Sequence, residues 1–66
     1  MFKKFNMFEN NNVEIQAQDG MGNWRTYSYA LNNSQRVINE MRQLSGNFPS
    51  ARIRAVDSNG RIVDIL

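Results

Sequence analysis

Sixty-six residues allow one domain. The chain has no cysteine and no histidine, which removes thiol nucleophiles, disulfides, Cys/His zinc sites and any Ser-His-Asp triad within one chain. Eight Lys+Arg against six Asp+Glu give a formal charge of +2, and the pI near 9.5 reflects only that little except the terminal amine titrates between the carboxylates and the tyrosines.

The placement of that charge matters more than its size. From residue 9 onward there are six arginines and six acids, so the excess is Lys3 and Lys4, and the body of the chain is neutral. A broad basic footprint for nucleic acid is therefore not expected, and any such contact has to rest on locally placed arginines. A chain this short buries roughly 60% of its unfolded surface and is marginal alone. Small scaffolds make up the deficit with disulfides, a metal or a partner. With cysteine and histidine missing, self-association is the expectation, a dimer first. No apolar run reaches the ~20 residues of a membrane helix. Met1-Phe2-Lys3-Lys4-Phe5 is too short and too soon interrupted to be a signal peptide, so a cytoplasmic location is expected.

Residues 1–12 form an aromatic and basic tail. Phe2, Phe5 and Phe8 recur every three residues, which suits one face of a short helix, but eight residues need a surface to fold against. Packing on the same or a neighbouring subunit is the expected role, with a weak membrane-surface anchor as the alternative. Residues 13–66 are read as the folded domain. Val13-Glu14-Ile15-Gln16-Ala17-Gln18 alternates strictly and predicts a strand with one buried face. Asp19-Gly20-Met21-Gly22-Asn23 predicts a turn. Trp24-Arg25-Thr26-Tyr27-Ser28-Tyr29 predicts the second strand of a hairpin. Its facing is open by one register; placing Tyr27, Tyr29 and Leu31 on the face of Ile15 gives the core more apolar surface than placing Trp24, Thr26 and Ser28 there.

Asn32-Asn33-Ser34 offers three N-caps, and although it spells a glycosylation sequon it reads as a cap. The helix is expected to end near Ser45, with Gly46 as a left-handed stop and Phe48 folding back. Val37, Ile38, Met41 and Leu44 form its apolar stripe. Ala51-Arg52-Ile53-Arg54-Ala55-Val56 and Arg61-Ile62-Val63-Asp64-Ile65-Leu66 predict two further strands around a three-residue loop at 58–60, with Gly60 left-handed and Asp57 opposite Arg61. Continued without interruption, that register sets Ala55 against Val63, Ile53 against Ile65, and Arg54 against Asp64 as an ion pair.

The fold class is thus α+β, a single ββαββ domain with one helix on one face of a four-stranded sheet. The strand order is not legible. The uncovered face is expected to carry Trp24, Arg52, Arg54, Val56, Ile62, Asp64 and Leu66. Trp24, Arg52, Arg54, Val56, Ile62 and Leu66 are the candidate interface or nucleic-acid residues, with Phe2, Phe5 and Phe8 as a second contact set. No catalytic, metal or cofactor residues are assigned. Asp19-Gly20-Met21-Gly22 lacks the third glycine and the following helix of a dinucleotide site, and Asp57-Ser58-Asn59-Gly60 lacks the closing glutamate of a calcium loop. The carboxylates Glu14, Asp19, Asp57 and Asp64 have no evident deep pocket to raise a pKa. Gly22-Asn23-Trp24-Arg25-Thr26-Tyr27, the helix, Arg52-Ile53-Arg54-Ala55-Val56-Asp57 and Gly60-Arg61-Ile62-Val63-Asp64-Ile65-Leu66 together resemble short uncharacterised open reading frames of phages and marine bacteria. That resemblance covers 13–66 and implies a small stand-alone protein with no assigned activity. The expected function is binding rather than catalysis: a self-associating protein, or alternatively one that holds nucleic acid on the open face.

Overall fold

The computed structural model describes residues 12–66; the Phe2, Phe5 and Phe8 set lies outside them. Strand β1 spans Asn12–Gln18, β2 Trp24–Leu31, helix α1 Ser34–Asn47, β3 Ile53–Val56 and β4 Ile62–Ile65. All neighbouring strands are antiparallel, in the order β2-β1-β3-β4. The two strands with the cleanest apolar alternation take the centre. Val13, Ile15 and Ala17 of β1 and Ile53 and Ala55 of β3 are buried beneath Val37, Met41 and Leu44 of α1. Ala30, Ile38 and Ala51 pack at the rim of this cluster. Burying these side chains drives the fold, at about 1.5–3 kcal/mol for each large one.

Two turns are built alike. In each, an Asp-x-x-Gly stretch closes a hairpin. Asp19 Oδ1 accepts the Met21 and Asn23 amides, both at 2.9 Å, and Asp57 Oδ1 accepts the Asn59 and Arg61 amides, also at 2.9 Å. The Asp19 amide donates to Asn23 and the Asp57 amide to Arg61. Gly22 (φ 90°) and Gly60 (φ 83°) sit in the left-handed region, which only glycine enters cheaply. The carboxylates that resembled a dinucleotide or calcium signal are hydrogen-bonded to turn amides. The amide of Asn23 lowers the Asp19 carboxyl pKa most; burial opposes it, and the Met21 amide and the Arg25 guanidinium add to the lowering.

The helix departs from expectation at its C-terminus. Asn33 is the N-cap, its side chain accepting the Gln35 and Arg36 amides. Gly46, however, is not a left-handed stop but an ordinary helical residue; α1 runs on to Asn47, and Phe48 caps it by donating its amide to the Leu44 carbonyl. The Phe48 ring lies against Tyr27, with centroids 4.9 Å apart.

Both edge strands carry a bulge. On β2 the partners pass from Ile15–Ser28 to Gln16–Thr26, leaving Tyr27 as the extra residue. On β4 they pass from Val56–Ile62 to Ala55–Asp64, leaving Val63 extra. A bulge reverses which residues of a strand share a face. Neither single facing of β2 therefore holds. Ser28 and Ala30 lie opposite Ile15 and Val13 on the helix side, whereas Trp24, Thr26, Tyr29 and Leu31 belong to the open side. Of the three side chains expected against the helix, only Tyr27 is there, at the rim beside Phe48. The loop at 58–60 forms as expected, but the register beyond it slips by one. Ile65 lies opposite Arg54 on the open face, Asp64 lies opposite Ala55 on the helix side, and the Arg54–Asp64 ion pair does not form.

Candidate interaction face

The side of the sheet away from α1 is ordered in rows. Trp24, Gln18 and Arg52 form the first; Thr26, Gln16, Arg54 and Ile65 the second; Tyr29, Glu14, Val56 and Ile62 the third. Among the described residues no helix or strand covers these rows.

Its centre is a polar relay. Arg54 Nε donates to Gln16 Oε1 at 2.7 Å. That contact orients the Gln16 amide, whose nitrogen then donates to Glu14 Oε1 at 3.0 Å and to the Thr26 hydroxyl at 3.1 Å. The Thr26 hydroxyl donates in turn to Glu14 Oε1 at 2.6 Å. A cation and a carboxylate are thereby joined through one amide, in a half-buried setting where charge-assisted hydrogen bonds are strong. The guanidinium of Arg54 also lies over the Trp24 indole, 4.0 Å from the ring centroid, bridging β3 to β2 across β1. This relay replaces the Arg54–Asp64 pair expected from the sequence. Among the described residues the one ion pair is Arg25 with Asp19, at 3.2 Å in the first turn.

Around the relay the face is apolar. Trp24, Arg52, Arg54, Ile62, Ile65 and Leu66 line one depression. Five of the six candidates from the sequence meet there. The sixth, Val56, lies in the next row, buried between Glu14 and Ile62. Ile65 was missed, because an uninterrupted register sends it to the core. Its exposure is 63%, that of Ile62 51% and of Leu66 53%. At the opposite corner Tyr29, 65% exposed, and Leu31 add a second apolar patch. Sequence reasoning missed these two as well, although Ser28 and Ala30 beside them were the signal. With Ser28 and Ala30 facing the helix, Tyr29 and Leu31 alternate to the other side.

A second cleft lies at the far end of the helix, where Tyr27 and Phe48 meet Ala17, Pro49 and Ala51. Among the described residues no three of Asp, Glu, His and Cys cluster as a metal site would need, and no helix is long and apolar enough to cross a membrane. Comparison with protein-family models, curated proteins and solved structures finds no match.

Proposed function

We propose that this is a non-enzymatic binding protein that works as a self-associated assembly, with the open sheet face as its contact surface and a second copy of the chain as its first partner. The observation that carries the reading is the apolar corner where Ile62 and Ile65, with the terminal Leu66 beside them, are left half or more exposed on the sheet face away from the helix, the opposite face carrying the core. A sheet with two apolar faces gains by covering both. The relay decides what suits the cover. It ties Arg54 to Glu14 through the Gln16 amide, so the central cation is already engaged within the chain rather than presented bare to a phosphate polymer. With Arg52 and Arg54 against Glu14 the face carries only a small positive excess, and its apolar corners suit the same apolar corners on a second copy. A two-fold axis along the strands would lay Ile62, Ile65 and Leu66 of one copy over Tyr29, Leu31 and Trp24 of the other, in the aligned packing that sheets favour.

Magnitudes place the association in a weak range. Full burial of an Ile or Leu is worth about 1.5–3 kcal/mol, so the exposed half of three such side chains contributes about 2–5 kcal/mol per copy and about 5–10 kcal/mol per pair. Lost freedom on association costs about 4–15 kcal/mol. At most about 6 kcal/mol is left, below the roughly 8 kcal/mol of a micromolar dimer, so the cover of Trp24, Tyr29 and Leu31 on the facing copy has to supply the remainder, and the affinity is micromolar rather than nanomolar. Light scattering in the tens of micromolar is expected to show a mass near twice that of the chain; a constant monomer mass refutes the reading.

Nucleic-acid binding is the second reading, favoured by Arg54 on Trp24 with the exposed Arg52 beside it. A guanidinium plane of this kind can stack a base. It predicts a salt-sensitive gel shift that Arg52→Ala and Arg54→Ala weaken. The absence of a shift at low salt eliminates it.

A further inference from the structure

An open sheet offers a partner two routes, its face and its edges. Of the two edges, β4 is the more inviting. Although only four residues long, it leaves Ile62, Val63 and Ile65 exposed, and it contains neither lysine nor proline, two usual protections of an edge. Its outward backbone can be worked out from the ladder. The Leu66 amide donates to the Ile53 carbonyl at 3.0 Å, so residue 66 points its polar groups toward β3. In an antiparallel ladder the next residue points the other way. The Ile65 amide therefore faces outward from the edge, where an added strand would take it. It is already taken: Asp64 Oδ1 accepts it at 2.9 Å. Asp64 is free to do so because the Val63 bulge moves it away from Arg54.

We infer that Asp64 guards the β4 edge: its carboxylate occupies the outward amide of Ile65 and, with the bulge at Val63, closes this edge to strand addition by a second copy. The opposite edge, β2, has its own bulge at Tyr27 and carries the exposed Arg25. The guard stands independently of the association proposed above. Where that association holds, the guard assigns it to the face and keeps the assembly closed, since face and edge contacts together would build open-ended chains.

The test compares the full chain with Asp64→Ala, which frees the amide, and Asp64→Asn, whose side-chain oxygen can still accept it. Light scattering across a concentration series reads mass, and hydrogen exchange reads the Ile65 amide. The expected result is an Asp64→Ala protein heavier than wild type at equal concentration by at least twofold, with Asp64→Asn tracking wild type. In dilute monomer the Ile65 amide should exchange at least tenfold faster in Asp64→Ala than in wild type. Equal masses for Asp64→Ala and wild type overturn the guard, as does Asp64→Asn behaving like Asp64→Ala. A monomeric wild type alongside a heavier Asp64→Ala refutes the face association and upholds the guard.

Discussion

Replacing Ile65 by alanine separates association from folding. Ile65 is 63% exposed in the single chain, so folding has buried only about a third of it. The substitution removes three carbon groups, each worth about 0.8 kcal/mol when buried. Covering the exposed 63% would recover about 1.5 kcal/mol per copy, or about 3 kcal/mol across a two-fold pair, which is about a hundredfold in dissociation constant. The same change should cost the folded monomer about 1 kcal/mol or less. Sedimentation equilibrium of wild type and Ile65→Ala over the same concentrations reads the first quantity, and denaturant unfolding at low concentration reads the second. A hundredfold shift with a near-unchanged unfolding midpoint is expected. Identical association curves would refute the role of the face, and a large loss of monomer stability would show that Ile65 belongs to the core after all.

Ile53→Ala provides the contrast, because Ile53 is buried beneath the helix. It should cost about 2–5 kcal/mol in unfolding free energy, measured by denaturant titration. The glycines divide by conformation. Gly60→Ala should destabilise by about 1–2 kcal/mol, through the left-handed backbone alone since no atom lies within 4 Å of the added carbon. Gly46→Ala, inside α1 and equally open, should stabilise by about 0.5–1 kcal/mol, so thermal melting should move the two variants in opposite directions. The Asp19 carboxyl titrates below its ordinary value of 3.8, chiefly because the Asn23 amide donates to it. A depressed acid stabilises the fold above its unfolded pKa and loses that contribution as pH falls through the folded one. The Asn23 amide shift followed by NMR should therefore titrate below pH 3.8; a midpoint at or above that value contradicts the turn geometry.

How much of this was legible depends on where a strand sits in the sheet. The alternation of Val13, Ile15 and Ala17 was readable because β1 is central, paired on both sides and free of interruption within its own chain. The helix stripe and both Asp-x-x-Gly turns were readable because their signals are local. The strand order was not, since it depends on which side of β1 the crossover through α1 delivers β3. The facing of β2 and of the end of β4 was misread for a single reason: each contains one extra residue. Period-two reasoning extends a phase along a strand, and an insertion at Tyr27 or Val63 breaks the phase without any glycine or proline to announce it. The stop at Gly46 failed differently. A glycine can end a helix, but here the next residues keep hydrogen bonding, and Pro49 lies beyond Phe48, where it no longer conflicts with the helix.

The Val63 bulge also decides which residues at the end of β4 join the open face. From the shared starting pairs Asp57–Arg61 and Val56–Ile62, an uninterrupted ladder would bring Asp64 to Arg54 and send Ile65 to the helix side. The extra residue exchanges those outcomes. Asp64 leaves the face for the edge, Arg54 turns to Gln16 and Trp24, and Ile65 joins Ile62 in the exposed corner. Deleting Val63 tests this account, because removing the surplus residue from the same starting pairs reproduces the observed partners without a bulge: Asp64 with Ala55 and Ile65 with Arg54. The latter is a non-hydrogen-bonded pair, whose α-carbons lie about 4.5 Å apart. A strong cross-strand contact between the α-protons of Arg54 and Ile65 should therefore be seen by NMR in wild type and persist in the deletion. If the deletion instead pairs Arg54 with Asp64, the facing of β4 is set by the attraction between those side chains and not by the count of residues from the turn.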